Sequence, residues 1–122
     1  MVLLDLYPVR EGHALVIPRQ HAALVEELDR ETAAHLFELG RRTIAAQKSA
    51  GMELDGHNLV LNDGPAANQH VPHVHLHVVP RRQGDTLRVA ATWGTRMFNI
   101  FGVASRRHRL DRLAGMLGEH FQ

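Results

Sequence analysis

Three histidines fall within five residues, in the run His73-Val74-His75-Leu76-His77-Val78-Val79. Successive side chains of a strand point to opposite faces, so the alternation predicts a strand with three imidazoles on one side and an apolar face on the other. Each ring has two nitrogens that need partners, which excludes ordinary core packing for the histidine side. Two chemistries stay open. At about 3.3 Å per residue, His73 and His77 stand roughly 13 Å apart at Cα, too far for one ion to hold the whole triad. A zinc ion on His75, His77 and His13 remains one alternative. The other is an anion site, in which donor imidazoles converge on a phosphate while His75, as a neutral imidazole, attacks phosphorus. The preceding segment Asp63 to Gln69 supplies what that needs: backbone N–H groups around Gly64 and Asn68-Gln69, and the side-chain amides of Asn62 and Gln69.

Those side chains need elements to hold them. Gly12 to Pro18 is a short apolar run closed by proline and predicts a buried strand. From Leu24 the pattern changes to helical spacing, with Ala33, Leu36, Phe37, Gly40 and Ile44 behind an Asp29 N-cap and an end near Gly51. His57 to Asn62 and Val71 to Val79 predict two further strands, paired antiparallel across the turn-rich connection. Arg81 to Gly102 has no clear periodicity. Ser105 to Phe121 sets Leu110, Leu113, Ala114, Leu117 and Phe121 on one helical face behind a Ser105 cap. The order predicts a single α+β domain over 1–122, an antiparallel sheet with a long helix and a C-terminal helix.

Composition removes whole classes of function. With no cysteine among 122 residues there is no disulfide, no thiolate zinc site and no cysteine nucleophile. No apolar stretch approaches the roughly 20 residues that span a bilayer, and no charged segment leads into an apolar one at the N-terminus, so a cytoplasmic protein is expected. The formal net charge is only +1, but residues 1–80 carry six basic and ten acidic side chains and residues 81–122 carry eight and three. The second part is therefore the one that attracts anions.

The residues around the triad carry a resemblance. His73-Val-His75-Leu-His77-Val-Val, preceded by Leu61-Asn62-Asp63-Gly64-Pro65 and Gln69-His70-Val71, resembles the signature of the histidine triad (HIT) superfamily of nucleotide hydrolases and transferases. The likeness extends back through Gly12-His13-Ala14-Leu15-Val16-Ile17-Pro18 to Asp5-Leu6-Tyr7-Pro8. It implies that His75 attacks the α-phosphorus to form a nucleotidyl-histidine, that His73 and His77 orient it and bind the phosphate or leaving group, and that His13 supports the cluster. It implies a ribose contact for Asp5, with Leu6 in the same nucleotide-binding motif, and places Asn62, Gln69 and His70 near the phosphate. His70 stands where relatives usually have Ser or Thr. A homodimer is implied too, with no cofactor beyond magnesium that a substrate brings with it. The chain begins at the Asp5 motif, so the upstream helix and hairpin of relatives are not expected, and nucleobase preference stays open. Pro80-Arg81-Arg82-Gln83-Gly84-Asp85 resembles the branch that includes the fragile-histidine-triad dinucleoside polyphosphate hydrolases. His77, where the transferase branch has glutamine, favours hydrolysis.

Other polar and aromatic residues read more plainly. His21, His35, His57, His108 and His120 are scattered and read as solvated surface. The arginines after Pro80 (Arg81, Arg82, Arg88, Arg96, Arg106, Arg107, Arg109, Arg112) read as a solvated helix face, with a polyphosphate clamp as the alternative; nucleic acid is not an expected partner, because the aromatics are too sparse for a stacking platform. Trp93 and Phe98 read as core or dimer packing, with a base pocket as the alternative. Two function classes follow, a hydrolase working through His75 and a nucleotide-binding module with negligible turnover.

Overall fold

The computed structural model describes residues 1–95 and 103–121. Short apolar runs form four strands, β1 (Val2–Leu4), β2 (Ala14–Val16), β3 (Gly56–Leu61) and β4 (Leu76–Arg81). They make one antiparallel sheet in the order β1-β2-β4-β3. Its central pairing sets Ala14 opposite Val78 and Val16 opposite Leu76, and the β3–β4 pairing sets Val60 opposite His77. One face of the sheet is covered by α1 (Arg30–Ser49); α2 (Thr86–Thr95) and α3 (Val103–Glu119) follow. Among the described residues, no helix is long and apolar enough to cross a membrane.

The alternation of the triad segment decides the core. Val74, Leu76 and Val78 join Ala14, Val16, Ala22 and Leu36 in the buried cluster. Each aliphatic side chain of Val or Leu size buried this way contributes about 1.5 to 3 kcal/mol. Helix α1 lies close because Gly40 has no side chain; a Cβ there would stand 3.1 Å from Leu76 Cδ2. Asp29 caps the helix as expected, accepting the Thr32 N–H at 2.7 Å and the Thr32 hydroxyl at 2.8 Å. Arg42 of α1 stands over the Phe121 ring, 4.9 Å from its centroid, and so holds the C-terminal end of the chain.

Several boundaries differ from the sequence reading. The strand expected over 12–18 is regular only over Ala14–Val16, and β1 pairs beside it without having been foreseen. Residues 24–28 form a 3-10 turn at Val25–Glu27, and α1 begins only after Asp29. The strand expected at Val71 to Val79 starts at Leu76 and runs through Pro80 to Arg81. Proline is tolerated there because β2 ends at Ala14 opposite Val78, so beyond that point β4 has only β3 beside it. The stretch that showed no periodicity contains α2. Helix α3 begins at Val103, which puts Ser105 inside the first turn rather than at the cap. Arg96 and Phe98 lie outside the described residues.

Candidate active site

The histidine side of β4 opens into a cavity of about 690 Å3. Asp5, Asn62, His70, His73, His75 and His77 line it, with Tyr7, Leu15, Ile17, Asn68, Val71 and Trp93. Of the three triad histidines only His77 lies within β4; His75 immediately precedes it and His73 sits on the irregular approach.

Each triad ring is tied down by one nitrogen. His75 Nδ1 is 2.7 Å from the carbonyl oxygen of His73, and His73 Nε2 is 3.1 Å from that of Pro18. A carbonyl only accepts, so both of these nitrogens carry hydrogen. For neutral rings the other nitrogen then holds a lone pair, Nε2 in His75 and Nδ1 in His73. His77 Nδ1 lies 3.0 Å from Nε2 of His13. The Val9 N–H donates to His13 Nδ1 at 3.2 Å, so neutral His13 carries its hydrogen on Nε2 and donates it to His77. His77 is left with an N–H on Nε2, and its ring meets that of His75 edge-on at 4.9 Å.

Burial fixes this arrangement. His13 is 0% exposed and His77 5%. Gln47 of α1, itself buried, donates to the Gly12 carbonyl at 2.9 Å and so fixes the loop that delivers His13. Asp5 is also buried; Oδ1 accepts the Tyr7 N–H at 2.8 Å, and Oδ2 is 3.5 Å from His13 Nδ1. The segment after β2 is sewn to the triad approach by Val74 N–H to Ala22 O and by Gln69 Nε2 to Ala23 O.

Two predicted residues do not reach the cavity. The Gln69 amide, expected near a phosphate, is spent within the protein: Oε1 accepts the Gly64 N–H at 2.7 Å while Nε2 holds Ala23. Its neighbour Asn68 lines the cavity instead, in a left-handed conformation with φ +62°. Leu6 is exposed and is not among the residues that line the cavity. Gly64, at φ +89°, turns the chain where a side chain would be strained.

Three surface readings are corrected as well. His21 is not simply solvated, because its Nδ1 lies 2.9 Å from Nδ1 of His73. His57 is half-buried on β3 with Nε2 enclosed and without a hydrogen-bond partner; burial, helped by Lys48, lowers its pKa from the ordinary 6.5. Arg81 belongs to β4 and pairs with Asp85 at 2.6 Å and with Asn58, and Arg82 pairs with Glu53.

The metal alternative changes its members. Asp5, His13 and His77 bring ligand atoms within 4.8 Å of one another, whereas His75 is outside the group. These three do not fit an open catalytic ion, since the facing nitrogens of His13 and His77 are already at hydrogen-bond distance and all three residues are buried.

The HIT domain profile matches residues 1–84. The chain belongs to the HIT family. It is 39% identical over 90 residues to an uncharacterised HIT-like protein of Mycobacterium tuberculosis, covering 74% of this chain and 62% of that one. It is 40% identical over 81 residues to an adenosine 5′-monophosphoramidase of Schizosaccharomyces pombe, covering 66% and 57%, and 32% identical over 120 residues to an adenylylsulfatase of Arabidopsis thaliana, covering 96% and 54%. This HIT chain thus spans about three fifths of the length of these curated relatives. A zinc-bound HIT protein from Mycobacterium smegmatis superposes with a TM-score of 0.66 at 36% identity, over 93% of this chain and 79% of that one. The antiparallel sheet with its helices is the fold of the HIT family.

Proposed function

We propose that the chain is a nucleotide hydrolase that cleaves at the α-phosphate through a nucleotidyl-His75 intermediate. The observation that carries this reading is the 2.7 Å contact from His75 Nδ1 to the His73 carbonyl, which leaves the Nε2 lone pair for substrate. As the Nε2–phosphorus bond forms, the bond to the leaving group breaks and its electron pair departs with that group. The positive charge that develops on His75 is held by the carbonyl on Nδ1. A basic leaving group takes a proton from His77 when both of its nitrogens carry hydrogen, which leaves that ring neutral. Water then attacks phosphorus, returns a proton to His77, and the phosphorus–nitrogen bond breaks to restore His75.

The His13 partner explains how His77 can also hold an extra proton. If His77 is protonated on both nitrogens, His13 must accept at Nε2 and carry its own hydrogen on Nδ1, which then gives up the Val9 N–H and turns to the Asp5 carboxylate 3.5 Å away. The buried charge is then balanced within one short chain of groups. Asp5 lines the cavity wall, which is the basis for a ribose contact there.

The leaving-group class rests on likeness to the fungal phosphoramidase and the plant adenylylsulfatase, which supports a nucleoside phosphoramidate or an adenylyl sulfate. A dinucleoside polyphosphate is the third candidate, from the Pro80–Asp85 resemblance. The family likeness also supports a homodimer. The test is rapid quenching with a labelled nucleoside phosphoramidate: label is expected on His75 within the first turnover, and nucleotide that binds without labelling would leave only a binding module. Exhaustive chelation should leave turnover of this metal-independent substrate unchanged; loss restored by one zinc per chain would replace the covalent reading with a metal one.

A further inference from the structure

Helix α2 buries none of its residues; Leu87 is 86% exposed, and hydrophobic burial therefore does little to hold the helix in place. Among the described residues, contacts at its two ends hold it. At its start, Asp85 accepts from Arg81 Nε at 2.8 Å and the Arg82 N–H at 2.8 Å, pairs with Arg10 at 2.6 Å, and takes the Val89 N–H on its backbone carbonyl at 2.9 Å. Near its end, the Trp93 ring lies 6.1 Å from that of His13 at 24° and 5.4 Å from that of His77 at 61°.

We propose that α2 is a cover for the His13–His77 pair, with Trp93 a positioning residue that keeps the pair dry and in one tautomer, and Asp85 the anchor that holds the cover down. The physical reason is competition from water. A hydrogen bond between two neutral imidazoles is one that water readily replaces, and replacement frees both rings to exchange tautomers. Under the indole, the pair keeps the tautomer that leaves an N–H on Nε2 of His77, a residue that lines the cavity. The anchor is strong in kind: a carboxylate shared by two guanidiniums and a backbone N–H, which also holds the Asp85 carboxyl well below its ordinary range, at about 2. The inference rests on the reading of His77 as proton donor, and it assigns to a helix outside the triad a role that stacking on a substrate base would not produce.

The two uses of Trp93 separate experimentally. With a nucleoside phosphoramidate, Trp93→Ala should lower kcat about tenfold or more while KM stays within threefold, and Trp93→Phe should restore kcat to within threefold of the parent. Ring 15N resonances of His13 and His77 should report one fixed tautomer in the parent and in Trp93→Phe, and averaged tautomers in Trp93→Ala. Asp85→Asn should act in the same direction more weakly and shift the emission of the single tryptophan to the red. If Trp93→Ala fails to fold by circular dichroism, Trp93→Leu and Asp85→Asn carry the same readouts. A raised KM at unchanged kcat, or unaltered ring tautomers in the alanine variant, overturns the proposal. Parent protein that labels no histidine sinks the hydrolase reading alone, because the ring resonances still decide whether α2 covers the pair.

Discussion

Among the described residues two pairs of imidazoles are joined nitrogen to nitrogen, and only one is sealed. His13 and His77 are 3.0 Å apart and almost wholly buried; His21 and His73 are 2.9 Å apart at the exposed edge of the cavity. For neutral rings both pairs have a direction, set in the inner one by the Val9 N–H on His13 and in the outer one by the Pro18 carbonyl on His73. The outer pair joins Nδ1 to Nδ1, and water competes for both rings. Similar distances therefore give unequal capacities: the inner pair is shielded from water, while the outer one meets it and holds a loop.

His75 stands between the pairs, and its removal should have the largest effect. His75→Ala is expected to keep the fold and nucleotide binding while lowering turnover by several orders of magnitude, read as kcat for a nucleoside phosphoramidate. A variant with a tenth of the parent activity would show that neither pair serves a histidine nucleophile.

Next in size comes the contrast itself. His13→Ala should lower kcat by about a hundredfold, within the range of a lost general acid or its partner, whereas His21→Ala should change it less than threefold. The reverse order would mean that the exposed pair does the proton work.

Binding should respond more modestly. A 2′,3′-dideoxy nucleotide, or Asp5→Ala with the normal one, should bind about 1 to 3 kcal/mol more weakly, measured by calorimetry. Equal affinity would leave Asp5 to the inner pair alone.

The smallest effects are on stability. Asp85, at about 2, and Asp29, lowered by its Thr32 contacts, are more acidic folded than unfolded, so they stabilise above the ordinary 3.8 and that contribution fades as pH falls below it. His57 acts higher on the scale. Its folded form resists protonation, so the unfolded chain binds the extra proton and stability declines as pH drops below 6.5. Denaturant melts across this range should show that decline, and His57→Gln should flatten it.

Much of this was legible in the chain. Alternation around Val74, Leu76 and Val78 identified the core face, and residue type plus spacing identified the histidine side, because both follow from the two-residue period of an extended chain. Asp29 declared the start of α1 by its capping chemistry. The legible part ends where tertiary context decides. Gln69 and Asn68 are both turn amides, and only the positions of Gly64 and Ala23 determine which one faces the cavity. His57 looks like any surface histidine until Lys48 and the sheet enclose it. Helix α2 is only ten residues long and buries none of them, so it has too few turns for its period to stand out in the chain. The first strand is three residues long, too short to give a period.

The order of the strands has a kinetic consequence. β4 pairs on one side with β3, joined to it by the fourteen residues 62–75, and on the other with β2, some sixty residues back; His13 and His77 are 64 positions apart. Closing a short loop is faster than closing a long one, so the hairpin that carries His75 assembles from local contacts first. A half-folded chain would already display its nucleophile while lacking the histidine that governs its proton partner. Chemical competence is thus acquired only when the most distant segments of the sheet meet.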